Sequence, residues 1–425
     1  MSKFQIIILG LFSVFIVIGV AIFAFSNSGS GKDRSQTVLW GTIKSSLIEE
    51  TIKELRLSVD EKINITYVEK SPDSLDSELT EAIAVGRGPD AVILPHNLLY
   101  QEREKLLPVS YESFAVRTFK DTFVEAGELF LSPDGILGFP LSIDPLVLYW
   151  NRSIFSAAGL ARPPTLWEEF YGLVPLLSKR DDTVIKRAAV ALGEFRNVLH
   201  AKDILSTLLL QAGTPIVSVS GDQPKASLNI RGRGLTPPTD SAVRFYTEFA
   251  NPLKPAYTWN RSLPDSKSFF LSGDSALYLG LASELGELRD RNPNLNFDVA
   301  IAPQAGEGKG VAVFGTVYGI ALVRGAKDMP SAIENLALLW GPVGAKKLSD
   351  LSGLPPARRD ILAVRPENPY QSVFYRSALI SSVWLDPNQV ETELIFKDLV
   401  ESVTSGRERL SEAISRANLE LDQLF

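Results

Sequence analysis

The chain has 425 residues, which is more than one hydrophobic core usually holds, so two lobes or domains are expected. Its net charge of −7 and its lack of basic runs argue against a nucleic-acid partner. There is no cysteine, and His96 and His200 are the only histidines, so disulfides, thiol catalysis and a histidine-built metal site are not expected.

The N-terminus predicts a membrane anchor. Residues 4–25 carry no charge and follow Lys3, and as a helix they would span about 33 Å, enough to cross a bilayer. A cleavable signal has a shorter apolar region, so an uncleaved single-pass anchor over residues 1–26 is favoured, with cleavage left open. Residues 27–36 are polar and rich in Gly and Ser, which is typical of a flexible tether. The body would then lie on the extracytoplasmic side of the cell membrane.

The first part of the body predicts an α/β fold. Residues 37–41, 63–68 and 91–94 have strand character, and residues 45–57 and 73–85 have apolar positions at helical spacing. Strand and helix alternate, which is typical of a parallel sheet. Ligands of such sheets lie beyond the carboxyl ends of the strands.

One later strand carries an acid. Residues 138–151 read GFPLSIDPLVLYWN, a run typical of a buried strand, with Asp144 near its start. A carboxylate there is costly unless something binds it. Asp144 is therefore either a solvated turn residue or a ligand contact.

The rest of the chain mixes helices with a few strands. Helices are predicted over residues 167–177 with Thr165 as N-cap, 201–211, 240–249, 331–348 with a break at Gly341-Pro342, 394–403 and 411–424; strands over 296–302 and 311–323; and a surface loop over 218–238.

No enzyme constellation emerges. Residues 273–277 (GDSAL) resemble an esterase signature at Ser275, but no histidine follows that could act as base. The glycines of residues 306–310 lack Walker spacing. No catalytic residue, metal or cofactor is expected.

Several aromatic residues lie at breaks between elements rather than on periodic faces, and aromatics at a cleft can stack on flat ligand faces, including sugars. Each one taken singly also fits a core position. They are Trp40, Trp259, Tyr278, Tyr318 and Trp384.

The order of segments resembles the extracellular solute-binding proteins of bacterial ABC importers, the large family that includes maltose- and oligosaccharide-binding proteins. The most specific match begins at residue 138 and ends at residue 170. Weaker matches are the segments at residues 88–93, 269–276, 302–303, 315–320 and 353–355.

The resemblance implies a two-lobed periplasmic-binding-protein-like fold of type II, with segments that cross between the lobes. The first lobe would comprise residues 37–141 and 319–354, and the second residues 142–318 and 355–425. A solute would be held in the cleft, and the lobes would close on it about hinge residues Pro140, Ser142 and Gly315.

By position in the family's motifs, the resemblance implies solute contacts at Asp144, at Asn97 after the third strand, at Trp40 and Thr42 after the first, and at Thr316 and Tyr318 near the cleft. The expected partners are a sugar or other polyhydroxy solute and the subunits of an ABC permease, with the receptor itself a monomer. Leu281-Ala282 replaces a common aromatic platform, and Asn97 replaces a common acid.

Two other classes stay open at this point. An extracellular hydrolase would show turnover of ester or glycoside substrates. A sensory or structural module with the same fold would bind no transported solute.

Overall fold

The computed structural model describes residues 35–58, 63–182, 184–220, 223–230, 236–306 and 310–425. The predicted anchor, and nearly all of the predicted tether, lie outside these residues. Within the described residues, no helix has the length and hydropathy needed to cross a membrane.

The predicted elements of the first part are present. Three parallel strands, β1 (Thr37–Gly41), β2 (Ile65–Glu69) and β3 (Ala91–Pro95), alternate with α1 (Ser45–Ser58) and α2 (Leu75–Ala84). The apolar side chains of α1 at helical spacing, Ile48, Ile52 and Leu55, are buried. These residues form a helix because that spacing puts them on one face, which packs against the sheet.

The remaining elements follow in chain order. They are α3 (Leu99–Glu102), α4 (Val116–Thr122), β4 (Leu131–Ser132), β5 (Gly135–Ile136), β6 (Phe139–Asn151), α5 (Arg152–Ala157), α6 (Glu169–Leu177), β7 (Lys179–Asp181), β8 (Val184–Arg187), α7 (Ala201–Ala212), β9 (Val217–Ser220), β10 (Gln223–Ala226), α8 (Pro238–Glu248), α9 (Ser266–Leu271), β11 (Leu277–Leu281), α10 (Leu285–Arg291), β12 (Phe297–Ile301), β13 (Val313–Leu322), α11 (Met329–Trp340), α12 (Pro342–Ser352), α13 (Arg359–Leu362), α14 (Pro369–Leu379), β14 (Ser381–Ser382), α15 (Gln389–Thr404) and α16 (Leu410–Asp422).

Two local expectations are corrected. Residues 218–238 are not one loop, because β9 and β10 form an antiparallel hairpin there. Thr165 is not the N-cap of α6, since Glu168 occupies that position. The Glu169 carboxylate instead accepts hydrogen bonds from the N–H groups of Thr165 and Leu166. An acid in the first helical turn thus binds backbone N–H groups that precede the helix.

A single sheet runs through both lobes. Its eight described strands include the path β11-β6-β13-β3-β1-β2, with β12 paired to β6 and β14 to β13. The first half of β6 pairs antiparallel with β13, and the second half pairs with β11 and β12. At about 3.3 Å per residue, β6 is about 43 Å long, so it reaches from one lobe into the other.

Two large hydrophobic cores lie on either side of this crossing. On β6, Ile143 belongs to the first core and Leu146 to the second; on β13, Phe314 belongs to the second core and Val317 to the first. The residues between them on each strand, Asp144-Pro145 and Gly315-Thr316, belong to neither core. The change of core therefore occurs at the same level on both crossing strands.

A third crossing runs beside β6. The Ile143 N–H donates to the Pro355 carbonyl at 2.9 Å, and the Ala357 N–H donates to the Leu141 carbonyl at 3.1 Å. After it, Leu362 and Tyr375 pack into the first core, whereas Trp384 belongs to the second. Between them, Phe374 of α14 packs into a third, smaller core that contains Val147 and Tyr149 of β6, so α14 contributes to two cores. The lobe boundary at residue 355 stays a prediction.

A close approach at the crossing explains Gly319. The β6–β13 register shifts between Tyr318 and Gly319, so Leu141 is an extra residue on β6. A Cβ on Gly319 would lie 2.5 Å from the buried ring of Phe130. Glycine is required here because that ring occupies the space of a side chain.

We therefore expect Gly319→Ala to lower the free energy of unfolding by about 1–3 kcal/mol, because it overpacks a rigid core. The measurement is urea unfolding of residues 35–425. Gly172→Ala is the matched control: Gly172 lies in α6 with open space around it, and alanine there should add about 0.5–1 kcal/mol. Equal stability of the two variants would contradict this account.

Candidate functional site

The paired strands β6 and β13, which form the crossing ladder, have one polar face. Residues directly opposite each other in a ladder point to the same side, and successive residues alternate between sides. Asp144 is opposite Thr316, and Ser142 is opposite Tyr318. These four polar side chains therefore share one face, at the level where the two cores separate.

Asp144 is buried, with 4% of its surface exposed. The Ser283 N–H donates a hydrogen bond to its Oδ1 at 3.0 Å. Burial raises the pKa of Asp144 to about 6, with a smaller contribution from the charge of Glu284, while Ser283 and His200 oppose the rise. Among the described residues, Asp144 takes part in no ion pair, and the hydrogen bonds that lower its pKa come from the main chain and the side chain of Ser283.

Tyr318 and Thr316 are half-buried beside this carboxyl. Burial, and then the charge of Asp144, raise the pKa of the Tyr318 hydroxyl above its usual range. The phenol therefore stays protonated and remains a hydrogen-bond donor. The ladder thus offers a carboxyl acceptor and hydroxyl donors side by side.

The end of β3 forms the adjoining wall. His96 is buried and its Nδ1 accepts the Val317 N–H at 3.2 Å; burial lowers its pKa to about 3, so the ring is neutral. Asn97 follows, and its Nδ2 donates to Gln389 Oε1 at 2.9 Å. Since α15 packs on the second core, this hydrogen bond joins the two lobes. The Asn97 Oδ1 is buried without a partner.

Sequence reasoning did not identify Gln389 or Ser283. Gln389 is the first residue of α15, directly after the N-cap Asn388, and its sequence context is that of an ordinary helix start. Ser283 contributes a backbone N–H, which any residue except proline has, and a side-chain hydrogen bond that an isolated serine in the sequence does not announce. Neither residue carried a signal that reasoning from one sequence could have used.

Trp40 and Thr42 lie at the carboxyl end of β1, which is the edge of the sheet where Asn97 follows the neighbouring strand β3. Both are half-buried. The Lys70 ammonium lies 4.0 Å from the centre of the Trp40 ring, a cation–π distance. One face of that ring is therefore already covered.

The other three predicted aromatics are buried in hydrophobic cores. Trp259 has no exposed surface and its Nε1 donates to Asn197 Oδ1; Tyr278 is 1% exposed and its hydroxyl donates to Glu284. Trp384 is 3% exposed, stacks on Phe396 and donates to Ser206. Large aromatics contribute most when fully buried, and their polar atoms find partners inside.

The predicted hinge residues lie in the crossing ladder. Pro140 and Ser142 are on β6, on either side of the bulge residue Leu141, and Gly315 pairs with Pro145. Their role as a hinge stays a prediction.

Four concavities in the described chain contain no predicted site residue. One of them has a volume of about 400 Å³ and is lined by Trp167, Tyr171 and Phe245.

The esterase-like segment has a structural role. Ser275 is 1% exposed and its hydroxyl donates to the Leu277 carbonyl at 2.8 Å, so it is not positioned as a nucleophile. Within the described ranges, no group of three or more His, Asp or Glu side chains could hold a metal ion.

The family model described as bacterial extracellular solute-binding protein matches residues 45–346. The chain belongs to this family. The family consists of binding proteins and not of enzymes, which confirms both the suspected resemblance and the expectation of no catalysis. Binding proteins of Brucella abortus (strain 2308) and Brucella suis biovar 1 (strain 1330) are each 23% identical over 356 residues, 80% of this chain and 80% of the relative.

Solved structures confirm the fold of this solute-binding protein. A cyclo/maltodextrin-binding protein complexed with maltotetraose matches with a TM-score of 0.73 at 16% identity, over 93% of this chain and 98% of that chain. A cyclic maltosyl-maltose-binding protein from Arthrobacter globiformis gives 0.75 at 15%, over 92% and 99%. The GacH receptor of Streptomyces glaucescens, solved unliganded and with acarbose, gives 0.68 at 14%, over 92% and 99%.

The state of Asp144 predicts a stability effect. Because its pKa is near 6 in the folded protein and 3.8 in the unfolded chain, ionisation opposes folding: stability is lost as pH rises from about 4 to about 6. Asp144→Asn should therefore raise the free energy of unfolding at pH 7.5 by up to about 3 kcal/mol, and the gain should vanish near pH 4. Urea unfolding at both pH values measures it.

Asp386→Asn is the matched control. Asp386 is equally buried, but it pairs with the Lys202 ammonium at 2.6 Å. Its neutralisation should destabilise the protein by about 3–5 kcal/mol, because a buried cation loses its partner. Destabilisation by both variants at pH 7.5 would contradict the conclusion that ionisation of Asp144 opposes folding.

Proposed function

We propose that this protein is a receptor that captures an oligosaccharide between its two lobes and delivers it to an ABC permease. The observation that carries the proposal is the polar face of the crossing ladder, where a buried carboxyl without an ion-pair partner among the described residues adjoins hydroxyl groups. Sugar hydroxyls donate to a carboxylate through charge-assisted hydrogen bonds, which are stronger than neutral ones.

In this proposal the solute contacts are Asp144, Thr316 and Tyr318 on the ladder and Asn97 on the first-lobe wall. Ser142 shares the polar face, and Trp40 and Thr42 line the rim. Tyr318 supplies an aromatic face for stacking, together with the face of Trp40 that Lys70 leaves open. The unpaired Asn97 Oδ1 accepts a solute hydroxyl, which would remove its desolvation penalty. Trp259, Tyr278 and Trp384 are not included, since they are buried in the cores.

The carbohydrate class rests on two supports. The proposed site offers hydrogen-bond acceptors and donors that suit solute hydroxyls, and its proposed contacts include no Lys or Arg. The structural neighbours include proteins solved with maltotetraose and with acarbose. We therefore propose a short oligosaccharide as solute, held by a monomeric receptor.

Closure of the lobes about Pro140, Ser142 and Gly315 would trap the solute. A ligand drives closure only through contacts that it makes better in the closed state. A solute bridging Asn97 of the first lobe and Asp144 at the crossing meets that condition. The Asn97–Gln389 hydrogen bond across the rim favours the same closed arrangement.

We also propose that residues 4–25 tether the receptor to the cell membrane, with the body outside. The support is the uncharged apolar length of that segment, which suffices to cross a bilayer as a helix. Carbonate extraction of membranes tests it: the full chain should stay with the membrane, whereas residues 35–425 should be released.

A thermal-shift screen tests the solute. Maltotetraose, acarbose, other oligosaccharides and polyols are the probes, and a binder at 100 times its Kd should add about 2.7 kcal/mol of stability. Asp144→Asn should weaken binding at least about tenfold, because a charged acceptor is lost. Binding to the unaltered protein should also weaken as pH falls below about 6, since Asp144 becomes protonated.

The control for this screen is Asp290→Asn, an exposed acid on α10 that should leave affinity unchanged. Absence of stabilisation by every oligosaccharide and polyol would overturn the solute class. A binder that is indifferent to Asp144→Asn would overturn the site.

Gln389 allows a test of closure. We expect Gln389→Ala to raise the Kd up to about fivefold, because one hydrogen bond of about 1 kcal/mol no longer favours the closed state. Small-angle X-ray scattering should show a larger radius of gyration for the ligand-free variant and an unchanged radius with saturating solute. Gln423→Ala, exposed after α16, is the matched control; equal behaviour of the two variants would rule out this role.

A further inference from the structure

The turn that follows β11 is tied to Asp144. Residues Ala282–Glu284 form a single 3₁₀ turn, and its middle residue Ser283 donates its N–H to Asp144 Oδ1 at 3.0 Å. The two residues are 139 positions apart in the chain, so this contact depends on how the turn is held. This N–H holds one oxygen of Asp144, so the position of the turn sets the orientation of the carboxyl.

Glu284 closes that turn. Its Oε2 accepts the Leu281 N–H at 3.2 Å and the Tyr278 hydroxyl at 2.8 Å, which fixes the turn to the end of β11. Its Oε1 accepts from the Lys267 ammonium at 2.9 Å and from His200 Nε2 at 3.1 Å. Four donors therefore converge on one carboxylate.

These donors stabilise the ionised form of Glu284. Burial would raise its pKa, but His200, Lys267 and Tyr278 together lower it to about 2. A carboxylate that stays ionised at every working pH keeps all four donors. Glu284 thus has no oxygen left for a solute, and 9% of its surface is exposed.

His200 anchors this cluster to α7. It precedes α7 in the left-handed conformation, with φ of 60°, and its Nδ1 lies 3.3 Å from Asp203 Oδ2. Burial would lower its pKa, but Asp203 and Glu284 raise it to about 10. Lys267 adds a second anchor from α9, where it also pairs with Glu287 at 2.8 Å. The cluster therefore ties the turn to two separate helices of the second lobe.

We propose that Glu284 is a positioning residue for solute binding: it holds Ser283 against Asp144 and so fixes the orientation in which the carboxyl meets the solute. This inference rests on the proposed function of Asp144 and deepens it. Glu284 acts through Asp144 and makes no solute contact. Its loss should therefore weaken binding only while Asp144 is present.

A double-mutant cycle tests the coupling. Maltotetraose is titrated by calorimetry at pH 7.5 into the full protein and into Glu284→Gln, Asp144→Asn and the double variant. Glu284→Gln alone should weaken binding about tenfold, the scale of one hydrogen bond to a charged group, and the double variant should bind no more weakly than Asp144→Asn. Additive losses, or an unchanged Kd in Glu284→Gln, would overturn the proposal.

A milder variant guards against misfolding. Tyr278→Phe keeps the buried ring and removes one of the four donors to Glu284. It should weaken maltotetraose binding about two- to fivefold, and again only in the presence of Asp144. Glu287→Gln is the matched control, since Glu287 also pairs with Lys267 but does not touch the turn; its Kd should equal that of the unaltered protein.

A second readout needs no solute. Carboxyl NMR titration of selectively labelled ligand-free protein gives the pKa of Asp144 directly. Loosening the turn in Tyr278→Phe leaves the charge of Glu284 in place and weakens the Ser283 hydrogen bond, so the pKa of Asp144 should rise. No rise, or an equal rise in Glu287→Gln, would overturn the positioning role even if maltotetraose is not the solute. A rise without maltotetraose binding would support positioning and count against the proposed solute.

Discussion

The main physical constraint on this structure is the burial of a carboxyl group between two hydrophobic cores. On both crossing strands the chain leaves one core and enters the other within a few residues, and Asp144 lies in that interval. A position that belongs to neither core tolerates a polar side chain, but full burial still disfavours its charge. The crossing is therefore a place where polar groups from both strands gather without breaking a core.

The geometry of the crossing follows from the length of β6. A strand that pairs with β13 in its first half and with β11 and β12 in its second must serve both lobes. The bulge at Leu141 and the close pairing of residues 355–357 concentrate the connections in a narrow band. Rotation of one lobe against the other then needs dihedral changes in only a few residues, which is how hinge closure operates in two-lobed proteins.

Much of this was predictable from the sequence, and the failures have physical causes. Periodicity located β1 to β3, the long crossing strand and most of the helices, because those elements bury a regular face. Asp144 could be singled out as a candidate solute contact because it is an acid within an apolar run. Trp259, Tyr278 and Trp384 are buried in the structure, since an aromatic beside a chain break can point inward as readily as outward. The pairing of residues 355–357 with β6 was not predicted, because it leaves no trace in local composition.

The contrast between Asp144 and its charged neighbours separates structure from function. Asp386 pairs with Lys202, Glu194 with Arg261, and Glu284 with His200 and Lys267. Each of these acids is buried, and each is matched by a cation that offsets its desolvation. Asp144 is buried to the same degree and receives hydrogen bonding from Ser283 alone among the described residues. The buried charge of Asp144 therefore opposes folding in the ligand-free protein. Under the proposed function, this carboxyl is the group to which the hydroxyls of a bound solute would donate hydrogen bonds.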